Sequence, residues 1–146
     1  MAVQWRDRAI TPAPPLSDER LATVQNRLGV RFPEDYLEVM RRHQGGAPDR
    51  NQVRLPDGSA TTLSMLLHFE DQPKGIDILG VAEDSEVLPD KVIPFAADPG
   101  DNYFCFDYRS VQTDPPVVFM ATDDPDAQPE HLADTFSELI ESLQEG

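Results

Sequence analysis

The sequence predicts an α+β domain, a mostly antiparallel sheet covered by helices. Three observations lead there. Apolar residues recur at helical spacing early in the chain and again at its end; three short apolar runs between residues 92 and 121 are joined by turn residues; and no strand–helix–strand alternation links them. Short connections imply antiparallel neighbours, because parallel strands need a crossover of a dozen residues or more.

Residues 1–16 read as a Pro-rich N-terminal arm, since Thr11-Pro12-Ala13-Pro14-Pro15 fixes backbone angles and removes amide donors. Trp5 and Ile10 are its only large apolar groups and the means by which it would pin to the body. Residues 17–146 then form a single domain. Ser17 is placed as an N-cap with Asp18 and Glu19 in the first turn, and Leu16 and Leu21 stand at staple positions. Leu21, Val24 and Leu28 carry the stripe to a stop at Gly29. A second helix starts at Phe32-Pro33-Glu34-Asp35, buries Tyr36, Leu37 and Met40, places Arg41, Arg42 and His43 at its negative end, and stops at Gly45-Gly46.

Gln52 to Leu55 and Thr61 to Phe69, separated by Pro56-Asp57-Gly58, read as a β-hairpin. Residues 76–88 fit a short helix through Ile76, Leu79 and Ala82 or Glu83 and a strand through Ile76 and Ile78, with Gly80 weakening both; a helical turn is the favoured reading. Val92 to Ala97, Tyr103 to Tyr108 and Val117 to Ala121 form the meander. On its central strand Phe104, Phe106 and Tyr108 face one side while Tyr103, Cys105 and Asp107 face the other. Leu132, Phe136, Leu139, Ile140 and Leu143 define an amphipathic terminal helix with Glu138, Glu141 and Glu145 in solvent.

Composition narrows the function. The chain has 146 residues, 27 Asp+Glu against 12 Lys+Arg, and a formal net charge of −15. Residues 1–73 hold nine Arg and ten acids, net −1; residues 74–146 hold Lys74, Lys91 and Arg109 against 17 acids, net −14. Long-range repulsion opposes direct binding to nucleic acid or an anionic membrane, whereas a basic protein would be steered in. No apolar run approaches the roughly 20 residues of a membrane span, and the start lacks the apolar core of a signal peptide, so a cytoplasmic protein is expected.

The single Cys105 excludes an internal disulfide and Cys-rich metal sites. Flanked by Phe104 and Phe106, it reads as a small buried hydrophobe. His43, His68 and His131 lack the i+4 partner of a helical metal or catalytic pair, and no phosphate-cradling glycine motif occurs. Asp98, Asp101, Asp123, Asp124 and Asp126 are loop carboxylates of the kind hard cations take, but their spacing is not that of an EF-hand and Asp is an ordinary turn residue. No catalysis, metal or cofactor is therefore expected. Asp107, with Arg109 on the same face, is read as a structural ion pair or as a partner contact.

The run Arg27-Leu28-Gly29-Val30-Arg31-Phe32-Pro33-Glu34-Asp35-Tyr36 followed by Gln44-Gly45-Gly46, the run from Val92 to Arg109, and Ala133-Asp134-Thr135-Phe136-Ser137-Glu138-Leu139 together resemble the SMI1/KNR4 family, or SUKH superfamily, over residues 17–143. Two departures are Gln44, where the family often has Asn, and Pro99, in a turn that is often Gly-rich. The resemblance implies a non-catalytic protein-binding module. Bacterial members are similar to immunity proteins that neutralise cognate toxins, often nucleases or deaminases, and fungal members to regulatory scaffolds. The expected partner is thus a basic, nuclease-like toxin domain, or alternatively a cellular protein. The expected contact residues are the carboxylates of the acidic half: Glu83, Asp84, Asp98, Asp101, Asp107, Asp123, Asp124 and Asp126.

Overall fold

A computed structural model describes residues 4–7, 16–70, 76–85, 87–124 and 126–145. Ile10 and the Thr11–Pro15 stretch of the arm, as well as Lys74, lie outside the described residues. The element order is β1 (Trp5–Asp7), α1 (Asp18–Leu28), α2 (Glu34–His43), β2 (Gly46–Pro48), β3 (Gln52–Arg54), β4 (Ala60–Thr62), β5 (Met65–Leu66), α3 (Ile78–Asp84), β6 (Val92–Ala97), β7 (Tyr103–Asp107), β8 (Val117–Met120), β9 (Glu130–Ala133) and α4 (Phe136–Ser142). The main sheet runs β5-β6-β7-β8-β9, every neighbour antiparallel. This is the α+β architecture expected, and the central meander lies where the apolar runs put it.

Side-chain alternation decides which helices cover the sheet. Phe106 on β7 stacks on Phe95 of β6 at 4.3 Å, and both meet Tyr36 of α2 at 5.0 and 5.6 Å and Phe136 of α4 at 6.4 and 5.7 Å. Tyr108, two residues on, donates its hydroxyl to the Arg31 carbonyl at 2.6 Å and so fixes the α1–α2 linker to the end of β7. Cys105 and Val118, pointing the other way, are buried too. Both faces of the central strands are dry, which is why Tyr103–Phe106 is an unbroken apolar run.

The helix ends follow their caps. Ser17 Oγ accepts from the Arg20 amide at 3.1 Å, and Gly29 closes α1 in the left-handed region at φ 70°. Gln44, one of the departures from the family pattern, is buried, and its Oε1 accepts from the Phe69 amide at 3.0 Å, tying the end of α2 to the strand region.

Four expectations need correction or extension. The hairpin exists as β3–β4, but the run Thr61 to Phe69 does not continue it. The chain bends at Leu63-Ser64, whose amides donate to Asn51 and Ala97, and β5 leaves to join the main sheet. The terminal helix begins at Phe136, not Leu132, because Thr135 Oγ1 caps it through the Glu138 amide and Ala133 already pairs with Val117 in β9. Leu132 is therefore a strand residue. Leu143 caps the other end, and its carbonyl neighbour Gln144 bridges to Gln52. Finally, part of the arm is a strand: β1 pairs antiparallel with β2, Trp5 opposite Pro48, and Trp5 packs half-buried against the core.

Candidate protein-binding surface

The carboxylates expected to meet a partner fall into four different situations. Asp98 is buried and builds the β6–β7 turn. One of its oxygens accepts from the Gly100 and Asn102 amides at 2.9 Å each; the other accepts from Thr61 Oγ1 at 2.9 Å and from Asn102 Nδ2 at 3.1 Å. Four donors fill its acceptor capacity, so its role is to shape the turn. Asp101, at the turn's tip, is held in the left-handed region at φ 63° and is exposed. Thr122, just beyond β8, locks this tip: its amide donates to Asn102 Oδ1 and its hydroxyl to the Asp101 carbonyl, both at 2.9 Å.

Helix α3 brings the second carboxylate. Asp77 caps it, accepting from the Gly80 amide at 3.0 Å, and Ile78, Leu79 and Val81 bury its inner face, so that it packs on β6 with Glu83 and Asp84 outward. Between α3 and the turn lies a cleft of about 420 Å³ whose walls include Val81, Asp84, Asp101, Tyr103 and Thr122. Burial pushes the Tyr103 phenol up from its ordinary pKa, and Asp101 raises it further, so the ring stays a neutral donor across the physiological range. Two carboxylates thus stand beside a neutral aromatic wall at the rim of a shallow recess, an arrangement whose charge and ring are chemically suited to a cationic side chain.

Glu83 faces the other way and is taken by α1, its carboxylate receiving the Arg27 guanidinium at 2.6 and 2.9 Å. Asp107 sits at the opposite end of the hairpin in a two-point pair with Arg109, at 2.9 Å through each oxygen. That guanidinium holds the Asp107 carboxyl below its ordinary range against the opposing effect of partial burial. Asp123, Asp124 and Asp126 are exposed on the loop after β8. There Asp124 accepts from the Asp126 amide at 2.9 Å, an ordinary Asx turn, and Asp123 follows Thr122 directly out of the cleft wall. Sequence reasoning missed Tyr103 and Thr122, which become cleft walls only because α3 folds back onto β6; the one legible signal was an aromatic directly after an Asp-Asn turn.

Cys105, His131 and His68 lie away from the cleft lining. Cys105 is fully buried, with its thiol pushed well up by desolvation and by Asp107. His131 pairs with Asp134 at 3.0 Å on the surface, and His68 is enclosed in the core. Among the described residues no three His, Cys, Asp or Glu side chains gather as a metal ligand set, and no helix is long and apolar enough to cross a membrane. A model of the SMI1 / KNR4 family (SUKH-1) matches residues 15–142. No curated protein matches the sequence.

Proposed function

The chain belongs to the SMI1/KNR4 family (SUKH-1), and from that premise we propose that it is a non-catalytic immunity protein, which binds and neutralises a basic, nuclease-like toxin domain in the cytoplasm. The observation that carries the reading is the convergence of Asp84 and Asp101 at the cleft beside Tyr103, within a chain half of net charge −14. A nuclease needs a positive surface to hold phosphate. An acidic cleft backed by an acidic loop would occupy that surface and compete with substrate. Cys105 is buried with a raised pKa, and no histidine is among the residues lining the cleft, so neither offers it a nucleophile or general base.

The test uses a toxin partner identified by pull-down from the native host. Association with its catalytic domain is followed by stopped flow from low to high salt, for the wild type and for Asp84→Asn with Asp101→Asn. Asn tolerates the left-handed backbone at 101, so the turn survives. Electrostatic steering lifts association from about 10⁵–10⁶ toward 10⁸ M⁻¹s⁻¹ at low salt. The wild-type rate should fall steeply with salt, and the variant should associate about tenfold more slowly at low salt. A rate that is flat with salt and equal in the variant would return the acidity to solubility alone and favour a regulatory scaffold.

A further inference from the structure

The two described cations of the acidic half, Lys91 and Arg109, stand together. Lys91 immediately precedes β6 and Arg109 follows β7, so both stand at the open end of the central hairpin, where the α1–α2 linker adds Arg31. The three line a groove of about 1040 Å³ between the end of α1 and the loop 108–113. Its walls are pinned. Arg31 accepts the Tyr108 hydroxyl through its carbonyl at 2.6 Å, and Lys91 Nζ lies 3.4 Å from the carbonyl of Gly29, the residue that caps α1. Among the described residues no acid lines the groove. Asp107 is already engaged by Arg109, and the Tyr108 phenol is raised by burial first and by Asp114 second. Arg31 and Lys91 are in no ion pair among the described residues, despite 27 carboxylates in the chain. Val111, on the same wall, is an exposed large apolar side chain at 39%.

We propose that this groove is a docking site for an extended acidic segment of a partner protein, with Arg31 and Lys91 taking its carboxylates and Val111 an apolar side chain beside them. Charge complementarity favours this occupant. Unpaired cations in a strongly acidic protein attract an anion only at short range, because a long polyanion feels the whole net charge of −15 while a short segment feels the local field within a Debye length of about 8 Å at physiological salt. Arg31 presents a planar fork suited to carboxylate, and Lys91 a point charge beside it. The groove is separate from the acidic cleft. Strands of six and five residues at about 3.3 Å each put the two sites roughly 17–20 Å apart, at opposite ends of one hairpin. The proposal therefore stands whether or not the partner is a toxin.

The probe is a fluorescein-labelled peptide of alternating Glu and Leu, eight residues long, titrated with the full chain and read by anisotropy at 50 mM salt. A Lys/Leu peptide of equal length and a single-stranded oligonucleotide of equal charge are run alongside. The acidic peptide should bind saturably, at least tenfold more weakly to Arg31→Gln/Lys91→Gln, and several-fold more weakly to Val111→Asp. It should bind unchanged to Asp101→Asn, which disturbs only the cleft. All the altered side chains are exposed, and thermal melts verify that each variant is folded. Absence of saturable binding, binding unaffected by both groove variants, or an oligonucleotide that binds as tightly as the peptide would overturn the proposal; the last result would make the groove a phosphate site.

Discussion

His68 is the residue at which burial and ionisation conflict most directly. Its backbone is satisfied, its amide donating to Ile76 and its carbonyl accepting from Ile78, both at 2.9 Å. The ring is enclosed, with Nδ1 unpartnered among the described residues, and it lies so close over Gly45 that a Cβ there would overlap it. Gly45 adopts φ 77°, so glycine is needed at that position both for its backbone and for the space it leaves the ring. Desolvation lowers the His68 pKa, and the charge of Asp77 opposes this without cancelling it. The folded state thus prefers the neutral ring while the unfolded chain titrates near 6.5. Stability from this source is intact above the unfolded value, falls as pH drops from about 6.5 through the lower folded value, and is level below that, with a slope of at most about 1.4 kcal/mol per pH unit. Urea midpoints at pH 7.5, 6.5 and 5.5 should decline for the wild type and flatten for His68→Gln. Asp107, held low by Arg109, and Asp57, held low by Ser59, lose their contributions only in the acid range near and below 4, so they do not confound this window. A variant with the wild-type slope would show that the ring is hydrated in the folded state.

Among the elements, α4 shows how a short helix depends on its surroundings. Seven residues cannot hold a helix in water unaided. It is anchored by Thr135 at its cap, by Asp35 of α2, whose Oδ2 accepts the Ser137 amide and hydroxyl at 2.9 and 2.8 Å, and by Phe136 among Tyr36, Phe95 and Phe106. Phe136→Ala should cost about 3–5 kcal/mol, measured by chemical denaturation, since the site is dry and walled by rings that cannot all collapse inward. A loss well under 1 kcal/mol would put that face in contact with solvent.

The same region shows what the sequence could tell. The apolar stripe announced a helix, yet Leu132 satisfies both the helical spacing and an edge strand, and only the Thr135 cap, seen in the structure, separates the two. The three-residue strands β1 and β2 were invisible because they pair residues about 40 apart with no alternation to betray them. The meander was legible because each of its strands is apolar and bounded by turn residues. In the binding surface, the acids could be counted from the sequence, but not their fates. Asp98 turns inward because Thr61, distant in sequence, donates to it, while Glu83 meeting Arg27 and Asp84 sharing a cleft with Asp101 depend on the packing of α3, tertiary events without a local signal.

For the molecule as a whole, net charge competes with specific pairs. The exposed pairs Arg27–Glu83, Arg41–Glu34 and Asp107–Arg109 each contribute about 0–1 kcal/mol, and salt weakens them. Against them stands the repulsion among the excess carboxylates of a chain with net charge −15. A domain of this length has a radius of gyration of roughly 15 Å. At 0.01 M salt the Debye length, about 30 Å, exceeds it, so every unpaired acid feels every other; at 0.15 M, near 8 Å, only neighbours interact. The polarity along the hairpin, acidic at the Asp101 end and basic at the Arg31–Lys91 end, relieves a small part of this, because the cations are few. Repulsion should therefore dominate, and the melting temperature should rise by several degrees from 10 to 150 mM NaCl. KCl should give the same rise. MgCl₂ at matched ionic strength should add nothing, and dialysis against a strong chelator should leave the midpoint unchanged, if the loop aspartates only shape turns. A midpoint that fell with NaCl would mean that the surface pairs outweigh the excess charge. A rise specific to Mg²⁺ or Ca²⁺ would mean instead that Asp101, Asp123, Asp124 or Asp126 ligate a cation, because only a bound ion stabilises the folded state beyond screening.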